Sequence, residues 1–289
     1  MADLGYAAPD TLEGALLLLA RAQGDARIFA GGTDVLVQMH AGLSEPGLLV
    51  DIKNIPELRV IANEDGGFRV GAAVPAMMLL DHKPFLTAWP GVIEGVSLIG
   101  SIQVKGRATM GGNLCNASPA ADSVPAMIAA GAIASIAGPN GKRQAAVEDI
   151  ITGPGRTSLA RGEIIVSFLF PRRVAHSGDC YLRLTPRTEM DIAVVGAGVN
   201  LTLDGAGKCT AARVALGAVA PKPLLVGAAA AALIGSTVDD AALTKMASAA
   251  SAACNPITDK RGTKEYRIKT AAVMARRAAE KALERAKAM

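Results

Sequence analysis

Two glycine pairs set the terms on which this chain can fold: Ala30-Gly31-Gly32-Thr33-Asp34 and Thr109-Met110-Gly111-Gly112-Asn113, about eighty residues apart, each beside a short apolar run. Adjacent residues without side chains let a backbone approach an anion closely, and they admit the positive φ angles that turn successive N–H groups inward. Thr33, Thr109 and Asn113 add short polar side chains beside the same turns. Either pair alone is an ordinary turn motif. Together they read as a divided cradle for one phosphorylated cofactor, which requires both to face a single groove.

The chain has 289 residues, so two or three subdomains are expected, and with 51% hydrophobic but only 3% aromatic residues its cores must be packed from small and branched side chains. The longest apolar runs, Met127 to Gly138 and Leu224 to Gly235, are rich in Ala and Gly and fall short of the roughly twenty apolar residues that cross a bilayer. No membrane span is expected. The start Met1-Ala2-Asp3 has no basic region ahead of the Leu16 to Leu19 run, so no secretory signal is expected and the reading is cytoplasmic.

Cys115, Cys180, Cys209 and Cys254 form no CxxC pair and are expected to be buried small hydrophobes, and His40, His82 and His176 stand isolated. No metal site and no catalytic residue is therefore assigned to this chain. The net charge is +4, with basic residues gathered from Lys260 to Arg285. Glu265, Glu280 and Glu284 interleave with them and no aromatic platform accompanies them, which argues against a nucleic-acid partner.

Periodicity places a helix from Asp10, with Asp10 as N-cap and Glu13 closing a capping box, to about Gly24, burying Leu12, Ala15, Leu16 and Leu19. Strands are expected at 26–30, 48–52, 68–72, 132–137 and 163–171, helices at 76–82, 91–99 and 125–131, and an Asn-Gly hairpin turn at Pro139-Asn140-Gly141-Lys142. Boundaries are expected near 58 and 176, giving units 1–58, 59–176 and 177–289. The last unit reads as an antiparallel hairpin, 197–203 with 209–219, followed by helices at 239–253 and 262–287. Val195-Gly196-Ala197-Gly198 imitates a dinucleotide fingerprint, but Leu201 replaces the third glycine and a strand runs on where a helix must begin.

Five stretches, in order, resemble the FAD-binding subunit of the molybdenum hydroxylases, the xanthine dehydrogenase and carbon monoxide dehydrogenase family. They are Ile28 to Leu36, Ile99 to Asn113, Ala117 to Asp122, Gly162 to Ile165 and Arg187 to Ala193. The resemblance spans essentially the whole chain. It implies an α+β fold: a two-subdomain FAD-binding domain of the p-cresol methylhydroxylase type, then a C-terminal α+β domain, antiparallel sheet plus helices, of the carbon monoxide dehydrogenase flavoprotein type.

Carried over by motif, Ile28, Phe29, Ala30, Gly31, Gly32, Thr33, Asp34 and Val35 would cradle the FAD pyrophosphate. Ile99 and Gly100 would line the groove, and Thr109, Gly111, Gly112 and Asn113 would form the opposing wall. Asp122 would accept from a cofactor hydroxyl or order its loop, its other reading being the cap of the helix near Val124; Ile165 would pack on a flavin or adenine ring, its other reading being strand core. Arg183 stands where relatives often carry a Lys that approaches the flavin, and Arg is a planar fork where Lys is a point charge.

The resemblance further implies an electron-transfer subunit in a dimer of heterotrimers, with an iron-sulfur small subunit carrying 2Fe-2S clusters and a large subunit carrying molybdopterin. The Cys-rich insert of the hydroxybenzoyl-CoA reductase branch is absent. The C-terminal unit is the expected docking surface. Alternatives are a stand-alone flavin reductase of the UDP-N-acetylmuramate dehydrogenase type and a scaffold that has lost its cofactor. The substrate, and an acceptor among NAD, dioxygen, quinone or carrier protein, stay open.

Overall fold

The computed structural model describes residues 4–22 and 25–289; the start at Met1-Ala2-Asp3 and the expected helix end at Gly24 lie outside the described residues. Among the described residues, three larger sheets organise the chain, beside a two-stranded ribbon, and they lie between residues 5 and 51, 61 and 170, and 177 and 225.

The first sheet is parallel, in the order β1 (Gly5–Ala7), β3 (Leu48–Asp51), β2 (Ala26–Phe29). Helix α1 (Leu12–Arg21) covers it, burying Leu12, Ala15 and Leu19, the spacing of one helical face. Its N-cap is Thr11, whose Oγ1 accepts from Gly14 N at 3.1 Å, and not Asp10 as the capping-box pattern suggested. A hydroxyl one residue later meets the same free amides, so the helix starts one residue further on. Helix α2 (Val35–His40) follows the first glycine pair directly.

The second sheet is antiparallel, in the order β4 (Ile61–Glu64), β5 (Gly67–Gly71), β10 (Ile164–Phe170), β6 (Ile133–Gly138), β7 (Gly141–Ala146). Its last strand in sequence is thus the central one. Gly138 pairs with Gly141, so the two loop residues are Pro139 and Asn140, and Gly141, at φ +104°, lies on the first strand position beyond them. Helices α3 (Ala76–Leu80), α4 (Lys83–Ala88) and α5 (Pro90–Ser97) pack on this sheet around Phe68, Phe85 and Phe170, whose edge-to-face contacts measure 5.3 and 4.9 Å. Two short helices, α6 (Ile102–Lys105) and α7 (Met110–Cys115), lead to α8 (Ser123–Ala130), every residue of which is buried. A small two-stranded ribbon, β8 (Ile151–Gly153) with β9 (Arg156–Thr157), precedes β10.

Helix α8 is sealed on its far side by the third sheet, β11 (Ser177–Leu184), β12 (Val195–Leu203), β13 (Cys209–Gly217) and β14 (Leu224–Leu225) in that order. A Cβ on Gly198 of β12 would lie 2.7 Å from the Pro125 carbonyl oxygen and 3.2 Å from Ala129 Cβ, so this glycine exists to admit a helix across the strand. The fingerprint-like glycines are packing devices.

Helices α9 (Gly227–Leu233), α10 (Asp240–Ala252) and α11 (Lys264–Ala288) cover the other face, α11 through a stripe of alanines at 271, 275, 278, 279, 282 and 286. The small stripe brings α11 so close that a Cβ on Gly178 would meet the Ala282 carbonyl and, at 2.5 Å, the Ala286 nitrogen. Several of its basic residues are paired inside the chain: Arg267 with Asp259, Arg276 with Asp240 and Glu280, Lys281 with Glu284, and Arg285 with Glu94 of α5.

Arg285 also donates to the Asp179 carbonyl at 2.7 Å, while the Asp179 carboxylate accepts from Arg173 and from Gly91 N, both at 2.9 Å. The last helix is thereby clamped to the middle unit. Among the described residues no helix is long and apolar enough to cross a membrane. Cys180 and Cys209 are buried as expected and Cys254 is half-buried, but Cys115 is exposed, because it ends α7 on a solvent-open cleft. Substituting Gly178→Val should lower stability by about 1–3 kcal/mol, the cost of overpacking a tight contact. Chemical unfolding followed by circular dichroism measures it, and an unchanged midpoint would refute the close approach of α11.

Candidate functional site

The two glycine pairs meet. Gly31 lies against the chain leading into the second pair, where a Cβ would strike the Arg107 carbonyl and sit 3.0 Å from Ala108 Cα. Gly111 in turn lies against Ala72, whose carbonyl oxygen would be 2.5 Å from an added Cβ. A side chain at Gly31 would force the two arms apart, and one at Gly111 would push the second arm off Ala72.

The first arm turns at Gly32, φ +73°, and its carbonyl accepts from Leu36 N at 3.0 Å, so the helical ladder of α2 begins inside the motif. Among the described residues, no protein acceptor is recorded for the N–H groups of Gly31, Gly32, Thr33 and Asp34. The arm is propped from behind. The Phe29 ring lies under Gly32, where a Cβ would come within 2.5 Å, and Lys53 Nζ sits 4.2 Å from the centroid of that ring. Lys53 also donates to the Ala30 carbonyl at 3.1 Å and to Asp51 Oδ2 at 2.6 Å, which Tyr6 joins with its hydroxyl at 2.5 Å. Burial alone would raise the Asp51 carboxyl, but hydrogen bonds from Lys53 and Tyr6 outweigh it and hold it below the usual range.

The second arm is a helix start and not a turn. Thr109 is the N-cap of α7, and its Oγ1 accepts from Gly112 N at 2.9 Å, leaving the hydroxyl hydrogen as its available donor. Gly111 and Gly112 thus occupy the first turn, where amides have no intrahelical partner. Asn113 Oδ1 accepts from Ser123 Oγ at 2.6 Å and Ser123 N at 3.4 Å, so the oxygen is committed to α8 and the amide NH₂ is the part left for other partners.

Between the arms lies a cleft of about 490 Å³. Ile28, Ala30, Gly31, Gly32, Thr33, Asp34 and Val35 line it from one side, and Thr109, Gly111, Gly112 and Asn113 from the other. Ile99 and Ile165 line it as well. Burial pushes the Asp34 carboxyl up.

Four sequence candidates fall outside the lining: Phe29, Gly100, Asp122 and Arg183. Phe29 is the buttress just described, and Gly100, at φ +56°, packs against the Val104 side chain. Asp122 stands at the N-cap of α8 without a side-chain cap bond. Its carboxylate points away, accepting from Tyr181 Oη at 2.9 Å and from Arg183 Nη1 at 2.7 Å.

Sequence reasoning missed Gln38 and Asn116. Gln38 Nε2 donates to Asn116 Oδ1 at 2.9 Å, tying α2 to the end of α7 across 78 residues, and both side chains line the cleft. Their positions, four residues after the second glycine pair for Asn116 and six after the first for Gln38, were the available signal. Gly162, which opens one of the five resembling stretches, also borders the cleft, as do Leu159 and Arg161, which nothing in their local pattern marked. Among the described residues no group of His, Cys, Asp or Glu could hold a metal ion.

Comparison with known proteins places these features in company. Residues 2–173 match a family model described as the FAD binding domain in molybdopterin dehydrogenase, and residues 181–282 match the CO dehydrogenase flavoprotein C-terminal domain. The carbon monoxide dehydrogenase medium chain of Afipia carboxidovorans is 35% identical over 282 residues, covering 98% of this chain and 97% of the relative. The xanthine dehydrogenase FAD-binding subunit of Escherichia coli O157:H7 is 36% identical over 216 residues, covering 74% of this chain and 73% of the relative. Among solved structures, the cyanide-inactivated Cu,Mo-CO dehydrogenase superposes with a TM-score of 0.94 at 34% identity, covering 98% of both chains. Quinoline 2-oxidoreductase from Pseudomonas putida 86 gives 0.90 at 30%, again over 98% of both.

Desolvation pushes the Asp122 carboxyl up to about 6, against the opposing pull of Arg183 and the Tyr181 hydroxyl. The folded chain therefore holds this proton more tightly than the unfolded one, where a carboxyl titrates near about 3.9. The stability so conferred is complete below that value and is lost as pH rises through about 6. Asp122→Asn should flatten the dependence of the urea midpoint on pH across this window, with Asp179, also raised to about 6 by desolvation, contributing equally to both proteins. Parallel profiles for the two would contradict the assignment.

Proposed function

The chain belongs to the family of FAD-binding subunits of the molybdenum hydroxylases, flavin-containing oxidoreductase components, and from that premise we propose that it carries electrons from 2Fe-2S clusters of a partner subunit to an external acceptor. The observation that carries this reading is the convergence of both glycine arms on one cleft, with amides on the first that meet no acceptor among the described residues and a helix start on the second.

The cleft fits FAD. Its volume lies in the range of cofactor pockets, and Cβ atoms at Gly31, Gly32 and Gly111 would collide with the opposite arm, the Phe29 buttress or the Ala72 backbone. When bound, a flavin exchanges electrons with both one-electron and two-electron partners, and the protein supplies geometry and electrostatics. The amides of Gly31 to Asp34 would hold the diphosphate from one side, with the Thr33 hydroxyl beside them. The first turn of α7, the Thr109 hydroxyl and the Asn113 amide would hold it from the other. Ile28, Ile99 and Ile165 would give the rings apolar flanks. Phe29 and Lys53 would keep the first arm in place, and the Gln38–Asn116 bond would fix the gap between arms. No side chain of this chain is assigned an acid or base role, since the hydroxylation belongs to the molybdenum subunit.

The same reading takes residues 1–58 and 59–176 as the two FAD-binding subdomains and 177–289 as the C-terminal domain, a division supported by sheets that never cross those boundaries. Relatives named as medium chains and FAD subunits support a multi-subunit complex, and our reading of it is a cytoplasmic dimer of heterotrimers, each with an iron-sulfur small subunit and a molybdopterin large subunit. Ile192, Ile257 and Tyr266 give the C-terminal unit exposed apolar surface of the kind such an interface covers. The stand-alone reductase reading gains nothing from these comparisons, and an open, undistorted cleft speaks against a scaffold without cofactor.

Purified with its partners, the protein should be yellow and hold stoichiometric FAD. Gly31→Val and Gly111→Val should each abolish flavin retention while the far-ultraviolet circular dichroism persists. A folded wild-type complex that is colourless would end this proposal.

A further inference from the structure

Arg183 is fully committed within the protein. Its side chain is 3% exposed and lies outside the cleft lining. Nη1 donates to Asp122 Oδ2 at 2.7 Å, to the Leu98 carbonyl at 3.1 Å and to the Asp191 carbonyl at 3.4 Å, and Nη2 reaches the Thr188 carbonyl at 3.5 Å. Leu98 is the C-cap of α5, so its carbonyl belongs to the set that a helix end leaves without an intrahelical donor. A guanidinium there supplies the donor and complements the negative end of the helix.

The next residue, Ile99, lines the cleft, and Gly100 then turns the chain at φ +56°. The Leu98 carbonyl is therefore the last fixed point before the wall. Asp122, the other end of the strut, is itself held by the Tyr181 hydroxyl at 2.9 Å, so the fork works from a rigid base. Both bonds leave from one nitrogen, Nη1, held in the guanidinium plane while Nη2 reaches the Thr188 carbonyl, whereas a lysine keeps the charge on a flexible stem without that second nitrogen.

We propose that Arg183 is a positioning residue that fixes the Ile99 wall through the Leu98 carbonyl and so sets flavin affinity without touching the flavin. The proposal rests on the reading of the cleft as the FAD site. Its other consequence is that a lysine at this position is not an equivalent replacement in this chain, whatever the lysine of a relative reaches.

The test is a double-mutant cycle on the full-length chain, stripped of flavin and titrated with FAD, with the visible circular dichroism of the bound flavin as a second readout. Arg183→Met should weaken FAD binding about tenfold, as expected for the loss of one hydrogen bond to a charged group. Ile99→Ala should weaken it as well, and the two should perturb the flavin dichroism alike. Because both act on one wall, the double variant should bind no worse than the weaker single variant, within about twofold. Arg183→Lys, which leaves the buried Asp122 a cation, repeats the cycle if the Met variant fails to fold and should fall between wild type and Met. Losses that multiply in the double variant overturn the proposal, as does wild-type affinity in Arg183→Lys. A wild-type chain that takes up no FAD overturns both this proposal and the reading of the cleft, whereas flavin binding with unaffected variants overturns this proposal alone.

Discussion

Contact between two backbones, with no side chain between them, is the constraint on which the site depends. Gly31 rests on the carbonyl of Arg107, which presses the first unit onto the second, and Gly111 rests on that of Ala72, which seats the second arm on the sheet of its own unit. Such proximity fixes spacing more tightly than a side-chain interface does, because backbone has no rotamers to adjust. It also explains the supporting cast. Phe29 under Gly32, Lys53 over Phe29, and the Gln38–Asn116 bond all keep the two main chains at this separation.

The same economy governs the other interfaces. Helix α8 is wholly buried because the third sheet and the helices α5 and α7 pack around it, and β12 accepts it where Gly198 removes a side chain. Helix α11 docks through alanines and the bare Cα of Gly178, then is locked by Arg285 against Glu94 and the Asp179 carbonyl. A chain with 3% aromatic residues reaches dense packing by bringing backbones together instead of interposing large rings. Its few rings are concentrated: Phe68, Phe85, Phe170 and Trp89 form one cluster under the middle sheet.

What was legible in the sequence was what local rules control. Alternation and helical spacing located the long strands and helices but not β1, β4, β11, α2, α4 or α9, because only sustained burial on one face leaves a periodic trace, and the glycine pairs announced the cleft because no other residue fits there. Boundaries were less legible. Asp10 and Thr11 are both good caps, and only the placed backbone selects Thr11. The second glycine pair read as a turn, yet Thr109 caps a helix through it, since glycine at a first helical turn leaves no distinctive local pattern. Long-range partners were out of reach altogether: Gln38 finds Asn116, Lys53 finds Ala30, and Arg183 finds Leu98 only after the units have been docked. Asp122 illustrates the gap best, being placed by motif beside the cleft while its carboxylate turns inward to Tyr181 and Arg183.

The order of strands in the middle sheet bears on how such a subunit matures. Strand β10 is the last of its five to appear in the sequence but lies between β5 and β6, and it contributes Ile164 and Ile165 to the floor of the cleft. A nascent polypeptide leaving the ribosome can assemble the outer pairs early, yet it has no floor to offer until residue 170 has been translated and threaded into the centre. Loading of the prosthetic group is on this topology a late event in biogenesis, and premature termination between β7 and β10 yields two half-sheets with nothing to join them.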